Sequence, residues 1–115
     1  MHEYSIVEGY VQQLLKEMPR RGAKKVTAVR FRRGSAFSEE VLRQSFEMLA
    51  KGTLLEGAEL RVETVNLDYE CKCGHKQVIT SDDVVAHMFL CPQCGATKEV
   101  DEVHDLELVD VEIEE

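Results

Sequence analysis

Two tight pairs of cysteines constrain this chain more than anything else in it. Cys71-Lys72-Cys73 and Cys91-Pro92-Gln93-Cys94 have residues 74–90 between them, close to the separation found in ribbon-type zinc sites. Zinc takes four donors at tetrahedral corners, and two short turns that each present two thiolates meet that demand. A glycine follows each pair, Gly74 and Gly95, so the backbone can fold beneath the sulfurs and aim amides at them. Four thiolates carry surplus negative charge, which Lys72, Lys76 and Lys98 lie near enough in sequence to offset. The first pair is C-x-C, one residue tighter than C-x-x-C, which leaves His75 or His87 as substitutes for Cys71. Structural zinc is the leading reading, with a redox disulfide pair and unligated thiols as alternatives.

A unit this small cannot fold on apolar burial alone, so metal binding would supply most of its folding free energy. A closed four-ligand site also has no open position for catalysis. Function is therefore expected elsewhere in the 115 residues, a length that suits one domain or a small domain with an appendage. No run approaches the roughly 18–20 apolar residues of a membrane span, and residues 1–20 lack a signal peptide's apolar stretch. A cytoplasmic, reducing location is expected, where cysteines serve as ligands more often than as disulfides.

The net charge of −8 argues against nucleic acid as the main partner, because duplex affinity rests on neutralising phosphates. The charge is uneven. Residues 20–33 hold seven Lys/Arg and no acid, whereas residues 101–115 hold eight Asp/Glu and neither Lys nor Arg. Two oppositely charged strands that pair with each other account for both blocks. The alternative is a zinc-ribbon adaptor that binds nucleic acid or protein through segment 20–33.

Hydrophobic spacing predicts a helix over 5–18, with Ile6, Val7, Tyr10, Val11, Leu14, Leu15 and Met18 on one face. Ser5 and Glu8 form a capping-box pattern, and Pro19 is expected to close the helix. Residues 24–32 alternate as a strand. Ser38 caps a second helix over 39–51, with Glu39 and Glu40 in its first turn. A second strand spans 58–65, and a last one spans 106–114. The expected fold class is α+β: two helices packed on a small three-stranded sheet, with an inserted four-cysteine, zinc-ribbon-like domain. Residues 1–67 and 104–115 would form the first domain and residues 68–103 the insertion.

Met1-His2-Glu3 opens the chain. The α-amine, the imidazole and the peptide nitrogens of His2 and Glu3 can lie in one plane, an arrangement Ni(II) accepts; the Glu3 carboxylate is an alternative donor. Such a site requires that Met1 is retained, which the bulky His2 favours. Alone, the motif reads as an exposed histidine near a chain end. The sequence shows no Ser/His/Asp arrangement, phosphate-cradling glycine loop or open metal site with a general base, so an enzyme is not expected.

Met1-His2-Glu3, the stretches GAKKVTAV and KGTLLEGAEL, and the two cysteine hairpins in this order together make the whole chain resemble the HypA family of nickel-incorporation proteins. The first hairpin is shorter than the family's commoner C-x-x-C. The resemblance implies a metallochaperone that carries Ni(II) on Met1, His2 and Glu3 and holds zinc on Cys71, Cys73, Cys91 and Cys94. Apart from the resemblance, His75, two residues beyond Cys73, is a candidate modulator of the zinc site, with plain solvent exposure as the alternative. The resemblance also implies action with the nickel-binding GTPase HypB and delivery to the large subunit of [NiFe]-hydrogenase, some members serving urease. Homodimerisation is a further expectation, and no membrane partner is implied.

Overall fold

The computed structural model describes residues 2–101 and 104–115, with His2 described through its backbone. Helix α1 spans His2–Arg20, strand β1 Lys25–Gly34, helix α2 Glu39–Ala50 and strand β2 Glu59–Val65. The cysteine unit follows with β3 (Leu67–Glu70), β4 (Lys76–Ile79), a 3-10 turn (Ser81–Asp83), β5 (Val84–Val85), β6 (Met88–Leu90) and β7 (Thr97–Glu99). Strand β8 (Leu106–Glu114) returns to the first sheet, whose order is β2-β1-β8.

Strand β1 lies at the centre and is the most deeply buried of the three: Val26, Val29 and Phe31 are fully buried. It runs parallel to β2, with α2 as the crossover, and antiparallel to β8. Both helices cover one face of this sheet. The Phe31 ring meets Tyr10 of α1 edge-on at 5.6 Å and Phe46 of α2 at 6.3 Å. Val7, Val11, Leu14 and Met18 supply the α1 side of this core, and Leu42, Phe46 and Ala50 the α2 side. The opposite face of the sheet carries the charge blocks. Arg30 lies opposite Asp110 across the β1–β8 ladder and Arg32 opposite Glu107, with ion pairs at 3.7 and 3.4 Å. The basic segment is thus spent largely within the fold.

Two boundaries of α1 differ from the sequence reading. The helix begins at His2, so Ser5 is interior and does not act as the N-cap. The Glu3 carboxylate accepts a hydrogen bond from the Ser38 backbone N–H at 2.5 Å, and this tertiary tie draws the first turn into the helix. At the other end the helix runs through Pro19 to Arg20. Proline's φ suits a helix, and in the last turn its ring costs one hydrogen bond without breaking the rod. The stop comes from Gly22, whose φ is +81°, with Ala23 N–H closing onto Met18 C=O at 3.1 Å.

A second core joins the cysteine unit together: Tyr69, Ile79, Phe89, Cys91 and Val100, with Ala36 inserted from the first sheet's side. Tyr69 and Phe89 pack edge to face at 4.6 Å. Ser35 rivets the two cores. Its hydroxyl donates to Ile79 C=O at 2.6 Å and accepts from Leu67 N–H at 2.8 Å.

Candidate metal centre

The β3–β4 hairpin carries Cys71 and Cys73 at its tip, and the connection from β6 to β7 carries Cys91 and Cys94. Each knuckle closes by the same pair of backbone bonds. In the first, Cys71 N–H donates to His75 C=O and Gly74 N–H to Cys71 C=O, both at 2.9 Å. In the second, Cys91 N–H donates to Ala96 C=O at 2.7 Å and Gly95 N–H to Cys91 C=O at 2.9 Å. Gly74 and Gly95 sit at φ +98° and +79°, a region where a side chain would be strained.

The two knuckles bring their sulfurs together. Cys71 Sγ lies 3.4 Å from Cys94 Sγ and Cys73 Sγ 3.8 Å from Cys91 Sγ, and all four fall within 4.8 Å of one another. Zinc–sulfur bonds of about 2.3 Å in a tetrahedron set sulfurs roughly 3.8 Å apart, so the donor set fits such an ion. The spacings are far from the roughly 2.05 Å of a disulfide, and all four thiols are free. The C-x-C turn therefore delivers Cys71 to the group, although it is one residue short.

The surroundings favour the thiolate at Cys71 and Cys91, whereas at Cys73 and Cys94 backbone amides lower the thiol but burial and the neighbouring sulfurs outweigh them and push it up. A hydrogen bond with Tyr69 brings the Cys71 thiol down to about 6, with the Cys73 amide adding to it; the same contact pushes Tyr69 up. At Cys91 burial opposes ionisation, but the amides of Cys94 and Gln93 outweigh it and lower the thiol. Cys91 is buried and Cys71 half-buried, with Cys73 and Cys94 at the surface. His75 is held elsewhere: its Nε2 and Gln77 Oε1 are 2.6 Å apart, and Gln77 in turn donates to Asp83 at 3.2 Å. Lys76 lies 3.8 Å from Glu70 on the partner strand.

The amino-terminal residues of the sequence reading are placed differently. Met1 lies outside the described residues, and His2 is the first residue of α1. Glu3 directs its carboxylate to the amino-terminal end of α2, where negative charge is favoured. The tie was not visible in the sequence, since it links positions far apart in the chain. Ser35 was equally hidden, since its partners Leu67 and Ile79 lie far along the chain. Ser38 was legible, and its hydroxyl accepts from Val41 N–H at 3.2 Å.

Two helices on a small sheet beside a closed four-thiol group define a small metal-binding protein of mixed α+β architecture. The family model described as hydrogenase/urease nickel incorporation, metallochaperone, hypA matches residues 1–113. The chain belongs to this family, whose members are maturation factors and not catalytic enzymes. A hydrogenase maturation factor HypA of a Roseiflexus species is 34% identical over 122 aligned positions, covering 100% of this chain and 94% of that protein. The Thermococcus gammatolerans counterpart is 32% identical, with coverages of 95% and 87%. In fold, the chain matches the solution structure of the Ni metallochaperone HypA from Helicobacter pylori with a TM-score of 0.58 at 20% identity, covering 96% of each chain. Among the described residues no helix is long and apolar enough to cross a membrane.

Proposed function

We propose that this protein carries Ni(II) at its amino terminus and delivers it during maturation of [NiFe]-hydrogenase, with urease as the other recipient class. The ligands are the Met1 α-amine, the His2 imidazole and the peptide nitrogens of His2 and Glu3. The supporting observation is where the helix starts. The first four N–H groups of a helix have no intrahelical acceptor, and α1 begins at His2, so the two peptide nitrogens required carry no helical hydrogen bond, although their helical backbone must open for them to wrap the metal in one plane. The Glu3 carboxylate, held by Ser38 N–H, anchors this turn and leaves coordination to the backbone nitrogen.

The four cysteines hold zinc, which supplies the cross-link that folds residues 68–103 as an inserted domain; residues 1–67 and 104–115 form the nickel-binding domain. His75 modulates the zinc site through its place two residues after Cys73 and its bond to Gln77. The protein lacks a nucleotide-binding glycine loop, so any nucleotide-driven step belongs to a partner, the GTPase HypB. The large subunit of the hydrogenase receives the metal, in the cytoplasm.

Calorimetric titration of the untagged protein with Ni(II), beside His2→Ala and a variant with residues added ahead of Met1, tests the site. Loss of tight binding in both variants, with zinc content and circular dichroism retained, is the expected result. Unchanged affinity in either one eliminates the amino-terminal site.

A further inference from the structure

In the order β2-β1-β8, strand β8 bonds β1 on one side and, among the described residues, has no strand on the other. A groove of about 480 Å³ runs between that edge and α1. Leu14 and Met18 form its helical wall, and Leu108, Val111 and Ile113 its strand wall. These three strand residues are only half-buried although they belong to the core side. The outward side of the same strand carries Glu107, Asp110, Glu112 and Glu114, with no base on the strand. Each of the first three bridges to an arginine of β1 or β2. The outer face nevertheless sets six acids, Glu59, Glu63, Glu107, Asp110, Glu112 and Glu114, against four bases, Arg30, Arg32, Arg61 and Lys25, the last opposite Glu114 in the ladder. The acidic side chains along β8 remain 51–64% exposed.

We propose that this edge docks an extended segment of a partner protein in which apolar and basic residues alternate. A strand added to a sheet edge satisfies its unpaired N–H and C=O groups and sends alternate side chains to opposite faces. One set enters the groove between α1 and β8. The other lies beside the acidic row. The same charges reject a second copy, because β8 against β8 aligns acid with acid, and like charges on neighbouring strands oppose pairing.

Val109 adds selectivity. Phe31 pairs with Leu108 and Arg30 with Asp110, so Val109 is an extra residue with no counterpart on β1. Such a bulge interrupts an edge and blunts indiscriminate pairing; a second register shift lies on β1 at Thr27, between the partners of Glu112 and Ile113. The Val109 side chain itself lines the groove.

The proposal does not depend on nickel, and its test uses the full zinc-loaded chain without nickel. Three blocked, fluorescein-labelled peptides match the nine residues of β8: alternating Val-Lys, alternating Val-Glu and alternating Gly-Lys. Anisotropy is expected to show Val-Lys binding at least about tenfold more tightly than either control. Amide NMR shifts should concentrate on residues 108–114. N-methylation of the Val-Lys amides that face the edge, and Val109→Lys with unaltered thermal unfolding, should each weaken binding by about tenfold. Absence of Val-Lys binding, equal binding of Gly-Lys, unchanged binding after N-methylation or in Val109→Lys, or shifts centred on β2 would each overturn the proposal.

Discussion

Replacing Ser35 by alanine tests how the two cores are joined. The native hydroxyl makes two hydrogen bonds, to Ile79 C=O at 2.6 Å and from Leu67 N–H at 2.8 Å, at a site that is 7% exposed. Each such bond contributes about 0.5–1.5 kcal/mol net, and a buried group left without a partner adds a desolvation cost of about 1–3 kcal/mol. Water can reach part of the Leu67 N–H, which is only part-buried, so the low end of the combined range applies. The expected loss is about 2–3 kcal/mol, or roughly 10 °C in Tm for a chain of this length. The backbone bond from Ser35 N–H to Val65 C=O survives the substitution, which isolates the hydroxyl. Urea unfolding of the zinc-loaded protein, followed by Tyr fluorescence and by circular dichroism, gives the number. Thr27→Ala is the control, because that hydroxyl also bonds a carbonyl, Glu112 C=O at 3.2 Å, but in an exposed position; its loss should stay within about 0.5 kcal/mol. A Ser35→Ala loss no larger than the control's would refute the claim that this residue fastens the cysteine unit to the sheet.

Other outcomes follow from the same geometry. Leu42→Ala empties a fully buried position in the main core and should cost about 2–5 kcal/mol by urea denaturation. Tyr10→Phe removes the 2.7 Å hydrogen bond from the hydroxyl to Leu106 C=O while keeping the ring against Phe31, for a loss of about 1 kcal/mol. Glu3→Ala removes the acceptor of Ser38 N–H at the start of α2 and should lower stability by about 1 kcal/mol, with nickel affinity falling far less than in His2→Ala. Cys91→Ser should abolish the zinc bound per chain, measured by mass spectrometry of the metal, and collapse amide dispersion for residues 68–100 while α1 and α2 keep theirs.

What the sequence made legible was whatever repeats locally. Val7, Val11, Leu14 and Met18 announce α1 by their spacing, and the oppositely charged blocks announce the pairing of β1 with β8 before any coordinates are known. The cysteine knuckles are legible because each needs only a few adjacent residues and a glycine. The long-range ties were not. Nothing next to Glu3 indicates that its carboxylate reaches Ser38 N–H, and without that tie the capping pattern at Ser5 was the better local choice. Pro19 misled in the same way: local rules end the helix there, but the closing bonds come from Gly22 and Ala23. The second core was hidden too, because Ala36, Tyr69, Ile79, Phe89 and Val100 share no period and meet only when the knuckles close.

The central claim is that nickel sits on the nitrogens of the chain's first residues. Absorption and magnetic measurements on the one-to-one Ni(II) complex of the untagged, zinc-loaded protein address it most directly. A square-planar nitrogen site gives a yellow, diamagnetic complex that disappears when residues precede Met1. A paramagnetic six-coordinate complex, or a spectrum that survives the extension unchanged, would contradict the account.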